Sequence, residues 1–250
     1  MRKTRIIGVV NLLGDVVVQS VNFKKYLPIG NPRIVIEYLN NWGIDEIVIL
    51  NITRKKNLLK KIPKFVKNSF VPITAGGGIS NLEEIDFLLQ NGADKIIINT
   101  QAILEPSLIK KASEKYGSQA VMISLDLKKI GNEYVIFINS GSEKVDIKFR
   151  DVVKIIEDNG AGELLINSID RDGSKLGFEK KLAIYTKKIT KLPIIFSGGA
   201  GTNFHFREML SLNLSGLCAA NFFNFKEQSV RYLKKYLLKH DKKKRLRNSI

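Results

Sequence analysis

Two glycine-rich stretches carry the first chemical signal in the chain. Val71-Pro-Ile-Thr-Ala-Gly-Gly-Gly-Ile-Ser80 and Leu192-Pro-Ile-Ile-Phe-Ser-Gly-Gly-Ala-Gly-Thr202 have the same form: an apolar run after a proline, then glycines, then a helical pattern. A strand, a glycine turn and a helix start together present bare N–H groups, an arrangement that holds phosphate. After its helix, each stretch is followed by a further short strand: Ala93-Asp-Lys-Ile-Ile-Ile-Asn-Thr100 in the first case, Ser215-Gly-Leu-Cys-Ala-Ala-Asn221 in the second. The form repeats about half a chain apart, which reads as an internal duplication. A duplicated phosphate site suggests a ligand with two phosphates. Between the two cradles the strand pattern Gln119 to Leu125 ends in Asp126, a carboxylate suited to general acid or base work.

Composition narrows what such a site can be. The chain has 250 residues, enough to bury a sizeable core in one large domain. No apolar run approaches the length of a membrane span, and the N-terminal pattern is a strand rather than a signal peptide. Cys218 is the single cysteine, so no disulfide forms within the chain, and a reducing, cytoplasmic location is expected. His205 and His240 are the only histidines, which leaves little for a zinc site or a Ser-His-Asp triad. Neither a metal nor a cofactor is expected. The formal net charge is +17, but the lysines are scattered over helices and are not interleaved with aromatic stacking platforms. The charge reads as a solvated surface, not as a nucleic-acid or membrane site. The Lys234 to Arg247 run reads as a frayed, solvated helix end.

The elements that must position these residues alternate regularly. Thr4 to Val10 is an apolar strand ending in Asn11. The Gly14-Asp15 turn, a short run Val16 to Val18 and a loop over 22–31 follow. Asn31 and Pro32 start a helix that Gly43 closes. Glu46 to Leu50 is the second strand, and Leu58 to Val66 a second helix weakened by Pro63. Ser80 and Glu83 have capping-box spacing for the third helix. Pro106 starts the fourth. Tyr134 to Ile138 and Lys144 to Ile147 flank Asn139-Ser-Gly-Ser142 as a hairpin inserted after the fifth strand. A helix over 149–159, a strand over 163–167, a polar loop over 168–177 and a helix over 178–189 lead to the second glycine turn. A helix over 203–212, a strand over 215–219 and a final helix from about 226 complete the pattern.

Eight continuous apolar strands alternating with eight helices fit a single (β/α)₈ TIM barrel spanning 1–250. Its half-barrels are expected at about 1–117 and 118–240, with a basic tail over 241–250. A doubly wound sheet is the rival, but it gives no reason for the repeat. In a barrel the active site lies at the C-terminal ends of the strands. The polar residues expected there are Asn11, Asn51, Gly77-Gly78, Asn99-Thr100, Asp126, Asn167, Asp172-Gly173, Ser197-Gly198-Gly199 and Asn221. At the opposite end Arg5, Glu46, Lys95 and Glu163 each open a strand, so two cations and two anions should meet as a salt-bridged plug.

Over essentially its whole length the sequence resembles the cyclase subunit of imidazole glycerol phosphate synthase. The motifs that carry the resemblance are Thr74-Ala-Gly-Gly-Gly-Ile79, Asn99-Thr100, Gly117-Ser-Gln-Ala-Val121, Ser168-Ile-Asp-Arg-Asp-Gly173 and Ser197-Gly-Gly-Ala-Gly201. The resemblance implies a (β/α)₈ barrel of two half-barrel repeats. It further implies a partner glutaminase on the bottom face, and ammonia that crosses a gate matching Arg5, Glu46, Lys95 and Glu163. At the top, that ammonia would react with a bisphosphorylated ribulosyl-formimino carboxamide ribotide, giving imidazole glycerol phosphate and an aminoimidazole carboxamide ribotide. It places phosphates at Gly78, Asn99 and Thr100 on one side and at Asp172, Gly173, Gly199, Ala220 and Asn221 on the other. Asp94, beside the gate, becomes a contact for the glutaminase.

The departures are equally specific. The family uses aspartates at the ends of strands 1 and 5. Asp126 matches the second, but the first is Asn11. Asn51 replaces a usual acid, Gln19 a usual lysine, and the Asp-Gly of the first loop is inverted as Gly14-Asp15. An amide neither gives nor takes a proton near neutral pH, so Asn11 cannot be a general acid or base. The expected reading is a diverged paralogue that still takes ammonia from a glutaminase. Similar paralogues support conversion of an acetamido to an acetamidino sugar in surface polysaccharide, with a separate sugar amidotransferase. The alternatives are an authentic histidine-pathway cyclase with one catalytic aspartate, and a scaffold that only activates the glutaminase.

Overall fold

A computed structural model describes residues 3–53, 56–66, 69–241 and 245–247. Eight parallel strands close on themselves. They are β1 (Arg5–Leu13), β2 (Glu46–Asn51), β3 (Ile73–Gly76), β4 (Lys95–Ile98), β5 (Val121–Ile130), β6 (Glu163–Ser168), β7 (Ile194–Ser197) and β8 (Gly216–Ala219). Each pairs with the next, and β8 pairs with β1, which closes a (β/α)₈ barrel. The strands are near-continuous Val, Ile and Leu because both faces are buried: one against the helices, the other against the barrel interior. The interior cluster contains Ile7, Val48, Ile97, Met122, Leu165, Ile195 and Cys218.

The two glycine turns have matching backbone surroundings. Asp94 N–H donates to Ile73 O at 2.8 Å, and Ser215 N–H donates to Ile194 O at the same distance. A Cβ on Gly77 would lie 2.1 Å from Asn51 O, and one on Gly198 would lie 2.7 Å from Ser168 O. Both turns also hold positive φ, so glycine is required twice over at matched places.

Several sequence expectations change. The 22–31 loop is largely strand: Val16–Val21 and Lys25–Gly30 form an antiparallel hairpin continuing from β1. A second hairpin, Glu133–Ile138 with Glu143–Lys144, continues from β5. Asn11 and Asp126 therefore lie inside extended strands rather than at their ends. The second helix is a 3₁₀ turn over Lys56–Lys61 followed by the four-residue helix Pro63–Val66, because Pro63 cannot supply an N–H in mid-helix. The third helix, Leu82–Gln90, is capped one residue later than the Ser80/Glu83 spacing suggests. Asn81 accepts from Glu84 N at 2.9 Å, while the Glu84 carboxylate reaches back to Ser80 N at 2.7 Å. A short helix, Thr100–Leu104, precedes the helix Ser107–Tyr116, for which Pro106 is the cap.

The C-terminus is not frayed where it is described. The final helix runs over Ser229–His240. Lys234 on it is buried and pairs with Asp45 at 2.7 Å, and Asp45 also accepts from Ile6 N. Leu246 is buried, and the main chain of Arg245 and Arg247 brackets Thr4 below β1. Residues 242–244 and 248–250 of the basic tail lie outside the described residues.

Candidate active site at the barrel mouth

At the C-terminal ends of the strands lies a cavity of about 420 Å³. Its floor carries Asn11, Asn51, Asp126 and Asn167; the first glycine turn brings Gly78, with Asn99 and Thr100 beside it. Across the mouth stand Asp172, Gly173, Ser197, Gly199, Ala220 and Asn221. One predicted mouth residue is absent from this lining. Gln19 alternates with Ser20 along its strand, and it is Ser20 that faces the cavity.

Asp126 is buried and lies across from Asn167 in the β5–β6 register. Its Oδ2 accepts from Asn99 Nδ2 at 3.0 Å and its Oδ1 from Asn167 Nδ2 at 3.4 Å. Burial pushes its pKa up to about 7; the Asn167 and Asn99 bonds pull the other way, and Asp172 adds a further upward push. Such a carboxyl has both proton states available near neutrality. Asp172 is also raised by burial, against hydrogen bonds from Ser20 Oγ and Phe23 N. Asn51 is buried with both ends in use: Nδ2 donates to Gly77 O at 3.3 Å, and Oδ1 accepts from Thr53 N at 3.0 Å. It therefore pins the first glycine turn. Among the described residues two buried amide oxygens have no partner, Asn167 Oδ1 and Asn221 Oδ1.

Sequence reasoning missed the residues that roof the mouth. Asn22 and Phe23 have φ of 52° and 58°, and Asn139 and Ser140 repeat those values on the second hairpin. The two turns meet: a Cβ on Gly141 would lie 3.1 Å from the Phe23 ring. Asn139 N–H donates to Thr100 Oγ1 at 3.1 Å, and Asn22 N–H to Asp172 O at 3.0 Å, so each hairpin is tied to one glycine-turn side. Asn-Ser-Gly in the second turn was a readable signal. Asn22-Phe23 was not, since a bulky residue at positive φ is rare.

At the other end Arg5, Glu46, Lys95 and Glu163 form a closed ring. Arg5 bonds both carboxylates, and Lys95 lies 3.3 Å from Glu46 and 3.2 Å from Glu163. Thr74 Oγ1 adds a bond to Glu46 at 2.9 Å. Burial pulls the Arg5 guanidinium down, but Glu163 and Glu46 together more than offset this and hold its pKa above the ordinary value. Burial, with Glu46 as the next cause, keeps the Cys218 thiol well above its usual value, so it remains a neutral wall residue. Below the ring a vestibule of about 470 Å³ is lined by Lys3, Gln119, Pro193 and Arg247 as well as ring members. Asp94 is exposed near this end; its carboxylate accepts from Ile73 N at 2.8 Å. Among the described residues no three His, Cys, Asp or Glu side chains come together as a metal site needs, and no helix is long and apolar enough to cross a membrane.

Residues 5–229 match the family model described as histidine biosynthesis protein. The chain is 39% identical over 244 residues to imidazole glycerol phosphate synthase subunit HisF of a Thermotoga species, covering 96% of each chain. It is 38% identical over 242 residues to the subunit of that name from Natranaerobius thermophilus, covering 95% of this chain and 96% of the relative. It is 40% identical over 238 residues to a Vibrio vulnificus protein carrying the subunit name hisF2, covering 92% and 86%.

Proposed function

The chain belongs to the histidine biosynthesis protein family, and from that premise we propose that it is the ammonia-using synthase subunit of a two-protein complex. The observation that carries the reading is the arrangement along the barrel axis. A charge-balanced ring separates a bottom vestibule from an apolar interior, and that interior opens on a buried carboxylate poised near neutrality. Ammonia made by a glutaminase on the bottom face would cross the Arg5, Glu46, Lys95 and Glu163 ring, with Asp94 as a contact for that partner. The ring offers hydrogen-bonding groups to a small polar molecule, and the interior beyond it admits the neutral form. A substrate with two phosphates would span Gly78, Asn99 and Thr100 on one side and Gly173, Gly199 and Asn221 on the other. Asp126 would move the proton.

The acceptor is the finer part of the proposal. Amides at Asn11 and Asn51 replace the acids of the synthase pattern, which supports a diverged role: supplying ammonia chemistry for amidination of an acetamido sugar of surface polysaccharide, alongside a separate sugar amidotransferase. The second reading is the authentic cyclase, and the carboxyl state of Asp126 favours it, since one group near neutrality can serve as base and then as acid. The deciding experiment supplies purified chain with free ammonia and the family's ribotide. The diverged reading expects very slow turnover that rises in Asn11→Asp. Turnover on the order of 1 s⁻¹ or more by the unaltered chain establishes the authentic cyclase instead. Co-purification with the glutaminase encoded nearby, followed by an assay of glutamine hydrolysis, tests the partner. Absence of a complex at micromolar concentration removes it.

A further inference from the structure

Asp126 presents a problem that its neighbours solve unequally. An ionised carboxylate only accepts hydrogen bonds, whereas the carboxylic acid carries an O–H that needs an acceptor. A buried carboxyl that moves a proton has to be satisfied in both states. Asn99 cannot follow such a change. Its Nδ2 is shared between Asp126 and Ser124 O, both at 3.0 Å, and its Oδ1 receives Thr100 Oγ1 at 3.4 Å. Turning that amide would break the whole set.

Asn167 is differently placed. Its Nδ2 makes the longer bond to Asp126, at 3.4 Å, and its Oδ1 is buried with no partner among the described residues. Turning it end for end sacrifices no existing bond of the oxygen. The neighbouring position is Gly198, where an added Cβ would come within 3.3 Å of that oxygen, so the missing side chain leaves room beside the amide. The charged side chains lining the mouth include Asp172, which disfavours charge on Asp126, and Lys175. Asn11, on β1, is an amide and cannot relieve Asp126 of a proton.

We propose that Asn167 is a positioning residue whose amide turns with the proton on Asp126, donating Nδ2–H to the carboxylate and accepting at Oδ1 from the carboxylic acid. This rests on the reading that Asp126 carries the proton in the reaction. In that step the proton leaving the attacking nitrogen passes to Asp126 Oδ1. The same carboxyl then returns a proton to the departing group and ends the cycle ionised. A single carboxyl thereby does in sequence what two would otherwise share. Its pKa of about 7 populates both states near neutrality.

The test reads the amide itself and needs no turnover, so it stands apart from the fate of the proposed reaction. Side-chain amide NMR of the isolated chain identifies the Asn167 signals by their loss in Asn167→Thr, or in Asn167→Ser should the first variant misfold. The Asp126 carboxyl is followed in the same samples. On acidification the Asn167 N–H contacts should move from Asp126 to Gly198, with the same midpoint as the Asp126 titration. In Asp126→Asn they should not move with pH. Asn167 N–H groups that stay on Asp126 in both states overturn the proposal. So does an Asp126 that holds one proton state between roughly pH 5 and 9.

Discussion

At the bottom of the barrel each buried carboxylate has two cations and each cation two carboxylates, whereas at the top Asp126 has only amides for partners. The ring is close to self-contained: Arg5, Lys95, Glu46 and Glu163 pair with one another. The mouth has the opposite character. Its carboxyl is desolvated without a counter-charge, so burial moves its titration into the working range. The partner set, more than depth, distinguishes these buried carboxylates.

The largest effect expected on this contrast comes from Asp126→Asn. If the chain turns over, the variant should lose about 10²–10⁴-fold in kcat. It should also be the more stable protein at higher pH. A carboxyl whose folded pKa lies above its unfolded value is bound to a proton more tightly in the native state. Its contribution therefore falls as pH rises from about 4 through about 7, by up to about 4 kcal/mol for this shift. Urea unfolding at acid and at mildly alkaline pH should show the wild type losing ground to the variant. Equal pH slopes would mean that Asp126 is already ionised like any surface aspartate.

The bottom ring should respond in the reverse sense. Glu46→Gln leaves Arg5 and Lys95 with a single carboxylate between them and should cost about 3 kcal/mol, read from the denaturant midpoint. Glu163→Gln should cost less, because Glu163 is more exposed and lacks the Thr74 bond. Replacing all four ring residues by apolar side chains of similar size should restore most of the stability while impairing ammonia transfer. Full transfer through that apolar ring would reduce the four charges to a plug.

Much of this contrast was legible in the sequence, and the missing parts share a cause. Continuous apolar strands, paired glycine turns and one charged residue at each of four strand starts are local patterns, so the barrel, the two glycine turns and the ring could be read directly. Lys234 could not. On its helix it is one lysine among many, and its partner Asp45 lies 189 residues away. The strand Lys25–Gly30 was hidden by Pro28 and Gly30, which an edge strand tolerates but propensity argues against. Asn167 lines the cavity, and its bond to Asp126 depends on the β5–β6 pairing, which no stretch of sequence displays.

The glycine turns give a smaller effect and sharpen the comparison within the mouth. Gly77→Ala should disrupt the first turn severely, since its Cβ would meet Asn51 O at 2.1 Å, whereas at Gly78 the nearest atom would be Asn51 Nδ2 at 3.9 Å. Gly78→Ala then carries only the strain of positive φ, about 1–2 kcal/mol. Thermal unfolding separates the two. A similar loss at both positions would show that backbone strain, not the approach of β2, is what demands glycine there.

The smallest effect concerns Asn51, where an amide stands in place of the acid expected from the resemblance. Its Nδ2 donates to Gly77 O while its Oδ1 accepts from Thr53 N. An aspartate in that place keeps the second bond in either protonation state, but it can make the first only while it carries a proton. Asn51→Asp should therefore be nearly neutral at low pH, where the acid O–H can stand in for the amide N–H. As pH rises past the ordinary carboxylate range, near about 4, the ionised group faces Gly77 O with no donor, and the loss should grow to about 1 kcal/mol. Denaturant midpoints across that range measure it. A flat difference would mean that Asn51 does not pin the first glycine turn, and that the exchange of acid for amide at this position bears on the substrate instead. A growing difference would show that the barrel mouth uses the Asn51 amide as a fixed donor that holds the first glycine turn.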